Sequence, residues 1–379
     1  MTSNNAYQTA VIGGGLAGLT LAIQLQREGI STVLFEKETY PFHKVCGEYI
    51  SMESRPFLES LGVPLSGLNL PVIHALHITS PNGTLLKHTL QQGGFGISRF
   101  TLDNMLFEVA KKCGVTVYEN CKVNGVLKEE NGYSIQTSRG TFSAQVACGS
   151  WGKRSNLDVK LNRRFIHPVN RKLTNYIAVK YHVEADLPDD LIELHNFGNG
   201  YCGISKIDNG KYCLCYLTVA QNLKSAGGDI KKMEEMFLHK NPYLEKYFTT
   251  FKSLYHEPLV ISQISFEKKS LVENGVFMLG DSAGLITPLC GNGMSMAMHA
   301  SKLLAAELVL FFDGKRSLAL TEVNYHAAWE QQFKKRLKAG RLLQRLFGHA
   351  ATTNVFIALM KRFPSLVNKL VQRTHGEPF

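Results

Sequence analysis

The sequence has no apolar run of the ~20 residues that a bilayer-spanning helix needs. Its longest candidates are Leu303 to Phe312 and Val355 to Met360. Internal repeats and low-complexity segments are also missing, which excludes solenoids and propellers. Eight cysteines, at positions 46, 113, 121, 148, 202, 213, 215 and 290, form neither a Cys-x-x-Cys pair nor a Cys/His set at zinc spacing. No metal ligand set is therefore expected, and the thiols read as the reduced thiols of a cytoplasmic protein. Met1 to Gln8 is short and polar with an apolar strand directly behind it, so no signal peptide is expected. Acid is scarce relative to base, with 31 Asp and Glu against 42 Lys and Arg and a formal charge of +11. Such a balance favours anionic ligands, membrane surfaces or nucleic acid without choosing among them. With 44% hydrophobic and 19% charged residues, the 379-residue chain is globular and long enough for two or three packed units.

What is present begins at once. Thr9 to Ile12 is a short apolar run, Gly13-Gly14-Gly15-Leu16-Ala17-Gly18 follows, and Leu19 to Glu28 has helical spacing and stops at Gly29. Ile30 to Phe35 is a second apolar run ending in Glu36. Gly13, Gly15 and Gly18 occupy a Gly-x-Gly-x-x-Gly pattern with an acid 23 residues beyond Gly13. Gly13 permits the tight turn, Gly15 has no Cβ to obstruct a pyrophosphate, and Gly18 lets the helix close on its strand. The helix N-terminus presents free N–H groups to phosphate. Glu36 suits both hydroxyls of an adenosine ribose and disfavours a 2′-phosphate, so the nucleotide is FAD or NAD and not NADP. A glycine fingerprint alone also occurs in ordinary turns; strand, helix and acid in this order decide for the nucleotide. Leu16, Ala17 and Lys37 complete the expected contacts on that side.

Further along, Ser51 to Leu61 reads as helical, and Val72 to Ser80 and Thr84 to Leu90 read as strands across Pro81-Asn82-Gly83. Gln91 to Gly96 reads as a glycine-rich return before a helix over Thr101 to Lys112. Val123 to Lys128, Tyr133 to Ser138 and Thr141 to Ala147 form an expected meander with turns at Asn131-Gly132 and Arg139-Gly140. Strands Tyr176 to Val183, Leu191 to His195, Tyr201 to Lys206, Lys211 to Leu217 and Leu259 to Phe266 should form a sheet roofing an apolar pocket. Asp229 is a candidate N-cap for a helix over Ile230 to His239.

A second motif confirms the nucleotide. Val276 to Leu279 ends in Gly280-Asp281-Ser282-Ala283-Gly284, and Pro288-Leu289-Cys290-Gly291-Asn292-Gly293 opens a helix from Met294 to Phe312. An Asp at a strand end can bind a sugar-like hydroxyl, and glycines with Pro288 let backbone pass close to a flat ring. Together the motifs point to FAD, with the second taking the ribityl chain and the ring edge. The helix N-terminus would face the side of the flavin where negative charge gathers on reduction.

On these residues the chain resembles the FAD-dependent p-hydroxybenzoate hydroxylase superfamily, most of all its geranylgeranyl reductase branch, with flavin-dependent halogenases more distant. The resemblance runs to about residue 310. It implies a ribityl-binding role for Asp281, a phosphate and ribose contact for Arg99, and a place near the flavin for Cys46-Gly47-Glu48, similar to the Cys-Gly-Glu or Cys-Gly-Gly element of those reductases. Two features depart from the pattern. Cys148-Gly149-Ser150-Trp151-Gly152 stands where Asp-Gly is usual, which leaves the electron donor, NADH or NADPH, open. Tyr201-Cys202-Gly203-Ile204-Ser205-Lys206 keeps only the Tyr of the reductases' Tyr-x-Trp-x-Phe-Pro motif, so prenyl specificity does not carry over. The halogenases' Trp-rich motif is not found, Trp151 and Trp329 being the two tryptophans.

The expected fold is α/β (α+β): a Rossmann-like FAD-binding domain with a parallel sheet and β-meander, an antiparallel substrate sheet, and C-terminal helices. The expected boundaries are 1–70, 96–160 and 267–312 for the FAD domain, 71–95 and 161–266 for the substrate domain, and 313–379 for the helical region. Cofactor contacts are expected from Gly13, Gly15, Leu16, Ala17, Gly18, Glu36, Lys37, Cys46, Gly47, Arg99, Gly149, Gly280, Asp281, Pro288, Gly291, Asn292, Gly293 and Met294. Cys46 reads equally as a small packing thiol and as part of the pocket, and the resemblance favours the pocket; Cys46 and Tyr201 are the candidate proton donors. Glu48 reads as a cap for the following helix, His43 and Lys44 first as surface groups and second as cations beside a nucleotide phosphate, and Cys213 and Cys215 as a packing pair. The leading function is an FAD-dependent oxidoreductase that moves hydride through flavin N5 to or from a hydrophobic small molecule, such as an unsaturated lipid, isoprenoid or polyketide-like compound. The alternative is an aromatic hydroxylase using NAD(P)H and O2; a halogenase or a non-catalytic flavin binder is more remote. Trp329, Phe333, Leu337, Gly340, Leu343 and Phe347 recur at helical steps with Lys334, Lys338, Arg341 and Arg345 on another face. That basic helix, 329–347, reads first as one packed on the body with a solvated face and second as a peripheral contact to the anionic inner membrane face. With no recognition module in the chain, nucleic acid is not an expected partner.

Overall fold

Two sheets organise the chain, which a computed structural model describes over residues 5–166, 175–286, 291–347 and 350–379, without the side chains of Arg345, Leu346 and Pro364. The first sheet has eight strands. Its centre is Ala6–Ile12, fully inside the core from Thr9 onward, paired in parallel with Thr32–Phe35 on one side and Gly140–Gly149 on the other. Thr116–Tyr118 and Val276–Met278 extend it in parallel at the two flanks. The register sets Ile12 opposite Phe35 and Gly149, and Gly149 opposite Met278. Gly13, Glu36, Ser150 and Gly280 consequently emerge at one edge, where open α/β sheets bind ligands. Val123–Glu129 and Gly132–Thr137 append to Gly140–Gly149 as the expected meander.

Helix α1 (Leu16–Arg27) and helix α2 (Arg99–Lys112) cover this sheet with helix α3 (Gly293–Phe312). Small residues let α1 and α3 approach closely enough for Thr20 Oγ1 and Ser301 Oγ to share a hydrogen bond of 2.7 Å. By length and composition α3 is the one helix among the described residues that could cross a membrane, and half of its apolar window is buried inside the protein. Helix α4 (Leu318–Leu346) packs on α3 through Tyr325, Trp329, Phe333 and Leu337, all buried. Helices α5 (Ala350–Arg362) and α6 (Pro364–Thr374) then fold back against the second sheet.

That second sheet has nine strands and runs Lys252–Ser253, Tyr176–Glu184, Tyr212–Val219, Gly200–Lys206, Leu191–Phe197, Val72–Thr79, Leu85–Gly96, Tyr49–Ser51, with Leu259–Ile264 on Tyr176–Glu184. Three local expectations give way to tertiary pairing. Gln91 to Gly96 is not a return but the end of a twelve-residue strand, held between Tyr49–Ser51 and Val72–Ile73. Its glycines are there for packing, because a Cβ on Gly96 would fall on Lys206 O. Ser51 ends the strand Tyr49–Ser51, and the expected helix begins one residue later as a 3₁₀ turn at Met52–Ser54 that continues into an α-helix at Arg55–Ser60. The Asp229 cap is present, donated to by the Lys232 N–H at 3.1 Å, but its α-helix runs only over Ile230–Met233 before a π-turn at Glu234–Leu238.

Candidate functional site

A cleft of about 960 Å³ opens where the first sheet's strand ends face the second sheet. Gly13, Gly15, Leu16, Ala17, Glu36, Lys37, Cys46, Gly47, Arg99, Gly280, Asp281, Gly291, Asn292, Gly293 and Met294 all border it. Gly18, Gly149 and Tyr201 do not. A Cβ on Gly18 would fall on Gly13 O, so this glycine closes the helix on the turn from behind. Gly149 has the Trp151 ring where a Cβ would stand. Tyr201 packs with Ala178, Leu217, Ile264 and Leu285. Pro288 lies outside the described residues.

The glycine turn is built to receive an anion. A Cβ on Gly15 would meet only Arg99 Nη2 and Lys44 Nζ, each at 3.8 Å, so the space above Gly15 is flanked by two cations and the N-terminus of α1. Asp103, itself buried, fixes both: Arg99 forks onto it at 2.7 and 2.8 Å, and Lys44 Nζ lies 3.0 Å away. Burial pushes the Asp103 carboxyl up, yet the two cations outweigh burial and hold it below the ordinary range. Two positive charges against one negative leave a net positive site beside the turn. Lys44 thus stands where the second of its two sequence readings puts it, as a cation beside the glycine turn and not as a surface group.

Glu36 is held as a ribose acceptor should be. Its carboxylate is 5% exposed and takes N–H donors from Gly14 at 2.8 Å and Glu38 at 3.0 Å. Tyr40 Oη donates to Gly14 O at 2.5 Å and braces the turn. On the opposite wall, Asp281 sits in a 3₁₀ turn, Gly280–Ser282, whose Asp281 carbonyl receives Lys269 Nζ at 2.7 Å. Asn292, fully buried, donates Nδ2 to Thr374 O at 2.5 Å, while its Oδ1 has no partner among the described residues. An orphaned acceptor is costly unless a ligand satisfies it. The cationic glycine cradle, the braced acid and this orphan are what FAD requires, and the residues fit it.

Sequence reasoning missed a second constellation at the cleft. Glu48, at φ 56°, does not cap the helix that follows; it accepts the N–H of Arg99, the first residue of α2, at 2.7 Å. Lys180 Nζ reaches the same carboxylate at 2.5 Å and His182 Nε2 at 2.6 Å. Glu48, Lys180 and His182 are all buried. Tyr255 Oη then joins His182 Nδ1 at 3.0 Å to His43 Nδ1 at 3.1 Å, and His43 is exposed. Burial raises the Glu48 carboxyl, but the His182 hydrogen bond and the Lys180 charge hold it below the usual value. Cys213, near enough to Glu48 and His182 to complete a three-ligand set, donates instead to Cys46 O at 3.2 Å, and burial pushes its thiol up. Lys180 already supplies the cation such a set would need. Cys46 Sγ borders the cleft and lies 3.5 Å from Met294 Sδ.

An apolar cavity of about 110 Å³ adjoins the cleft and shares Tyr49, Ile192, Leu194 and Gly291 with it. Leu76, Leu86 and Leu90 of the second sheet form one side, and Leu343, Phe347, Ile357, Met360, Val367 and Leu370 of α4 to α6 form the other.

Residues 6–189 match the FAD binding domain family. Among curated proteins, the chain is 24% identical over 86% of its length to conditioned medium factor receptor 1 of Dictyostelium discoideum, covering 68% of that protein. It is also 24% identical over 88% of its length to a digeranylgeranylglycerophospholipid reductase of Methanococcus vannielii, covering 82% of it. Among solved structures, a flavin-dependent brominase superposes with a TM-score of 0.79 over 97% of this chain and 93% of that one, at 17% identity, a likeness of fold.

Proposed function

The chain belongs to the FAD-dependent hydroxylase superfamily, beside its geranylgeranyl reductases and flavin halogenases, and from that premise we propose that it reduces or dehydrogenates an elongated hydrophobic substrate. The observation that carries this reading is the apolar cavity that shares a wall with the flavin cleft. Pockets lined almost wholly by aliphatic and aromatic side chains take ligands of the same character. A chain lying in that cavity would bring its end past Tyr49 and Gly291 into the cleft, where Ile192 and Leu194 exclude water.

Bound FAD supplies the electron pair exchanged with the substrate carbon. The Gly13 to Gly15 turn, Arg99 and Lys44 would hold its phosphates, Glu36 its adenosine ribose, Asp281 its ribityl chain, and Asn292 Oδ1 would accept from it. Saturating a carbon–carbon double bond also consumes a proton, and the Glu48, His182, Tyr255, His43 line is placed to move one between solvent and the cleft. Lys180 keeps Glu48 ionised as its resting acceptor. Cys46, bordering the cleft, is a second proton-bearing group; Tyr201 lies outside it. NADH or NADPH is the proposed electron donor.

The deciding test is anaerobic. Chemically reduced holoprotein is mixed with a polyprenyl or long-chain alkenyl lipid, and the flavin absorbance is followed with product analysis. Rapid reoxidation with saturation of the lipid supports the reading. Reoxidation by oxygen alone, coupled to hydroxylation of a phenol, overturns it in favour of an aromatic hydroxylase.

A further inference from the structure

The formal charge of +11 is not spread over the molecule. Between Gln331 and Gly376 the sequence has ten Lys and Arg and no Asp or Glu, while the remaining 32 basic and 31 acidic residues nearly cancel. This segment is the end of α4 with α5 and α6. The apolar stripe of 329–347 is spent on the body, since Trp329, Phe333 and Leu337 are buried and Arg336 turns inward to Glu53 at 3.4 Å. The outward apolar groups lie further along. Val355 is 71% exposed, Leu359 and Phe363 each 47%, and Leu366 40%. Lys361, Arg362, Lys369 and Arg373, all exposed, stand on the same two helices.

Helix α5 is thus apolar on both sides. Ile357 and Met360 line the cavity, and Val355 and Leu359, at i and i+4, point to solvent. A helix apolar all round belongs between two nonpolar media. The inner medium is the cavity, and we infer that the outer one is the surface of an anionic lipid bilayer, into which α5 and the start of α6 insert Val355, Leu359, Phe363 and Leu366. Charge of a single sign beside exposed aliphatic and aromatic groups is the pattern that adsorbs to anionic interfaces. Nucleic acid would be served by the charge and not by the exposed Val, Leu and Phe. A protein interface would be depleted in Lys at its core. Docking of the surface stands apart from the proposed reaction; that it feeds the cavity rests on that reading.

The experiment is sedimentation of the full-length holoprotein with vesicles of phosphatidylglycerol and phosphatidylcholine in equal parts, against vesicles of phosphatidylcholine alone. Two variants accompany it, Val355→Ser with Leu359→Ser, and Lys361→Gln with Arg362→Gln, Lys369→Gln and Arg373→Gln. These positions are exposed, and flavin content with circular dichroism verifies the fold. The wild type should pellet with the anionic vesicles and much less with the neutral ones. The four-charge variant should lose about 100-fold or more in partitioning, and added salt should release the wild type. The inference is overturned if the protein stays in solution with anionic vesicles, or if folded variants bind them as the wild type does. It is equally overturned if the patch proves to join two copies of the chain or to retain DNA fragments while vesicles are ignored. Vesicle binding without reduction of any lipid would uphold the docking surface and count against the proposed reaction alone.

Discussion

Breaking the buried Lys180–Glu48 pair should be among the most damaging single changes outside the nucleotide turn. Both side chains are fully buried, and Glu48 also holds the first N–H of α2 and His182. Lys180→Met strands a buried carboxylate with only those partners, and removal of one member of such a pair costs about 3–5 kcal/mol. Glu48→Gln keeps an acceptor for Arg99 N–H and a Cβ at the same φ, so its cost should be smaller, while Lys180→Met with Glu48→Leu should cost less than the two single changes added together. The pH dependence has a definite sign. Because the folded Glu48 pKa lies below its unfolded value, its contribution is complete above the unfolded pKa of ~4.3 and disappears as pH falls through the folded value. The advantage of wild type over Glu48→Gln should therefore be largest near neutrality and vanish in acid. Urea denaturation in excess FAD from about pH 3.5 to 8 measures this. A loss below about 1 kcal/mol in Lys180→Met, strict additivity in the double variant, or an advantage that grows in acid would refute the reasoning.

Three further outcomes are expected. Gly15→Val places a side chain in the space between Arg99 and Lys44 without striking the protein, so the variant should fold and purify with at least ~10-fold less FAD; a full complement of flavin by absorbance would remove Gly15 from the phosphate site. Glu234 accepts Tyr181 and Tyr216 hydroxyls at 2.9 and 2.8 Å, and burial raises its pKa from 4.5 to about 7. Folded Glu234 prefers to be protonated, so stability falls by roughly 3 kcal/mol as pH rises between those values, and Glu234→Gln should remove that slope and be the more stable form at pH ~8; parallel pH profiles of the melting midpoint for variant and wild type would contradict it. Cys46→Ala should lower turnover by about 10-fold or more while costing under ~1 kcal/mol, since Cys46 borders the cleft and its thiol has a single weak sulfur partner, Met294 Sδ, among the described residues. Intact turnover with a lowered melting point would make Cys46 a packing residue.

The legibility of the site follows sequence distance. Gly13, Gly15, Gly18 and Glu36 could be read because strand, turn and helix are local, and each glycine answers a steric demand within about twenty residues. Arg99 was reached by resemblance, and its anchor Asp103 lies one helical turn on; no pattern announced that Lys44 shares that anchor. The Glu48 constellation was invisible for a plainer reason. Lys180 and His182 lie 132 and 134 residues beyond Glu48, and only the passage of strand Tyr176–Glu184 over the loop at 43–48 joins them. In sequence, Lys180 and His182 simply alternate along a strand. The same cause explains Gln91 to Gly96, where glycines that signal a turn locally are retained because a neighbouring backbone passes too close for a Cβ.

On the proposed reading, cofactor binding and substrate choice occupy different parts of this chain. The groups placed to hold the phosphates and adenosine ribose, Gly13 to Gly15, Glu36, Lys44 and Arg99, all fall within residues 6–189, the span that matches the FAD binding domain. The cavity residues contributed by the C-terminal region, from Leu343 to His375, all lie outside that span. The two parts meet at Asn292, whose amide ties the flavin-side loop to Thr374 at the end of α6. Filling the cavity with Leu370→Trp should therefore abolish use of a long substrate while FAD content stays full, because among the described residues none of the phosphate cradle lines the cavity. Displacing α6 by Asn292→Ala should disturb both together, since one side chain serves the loop and the helix.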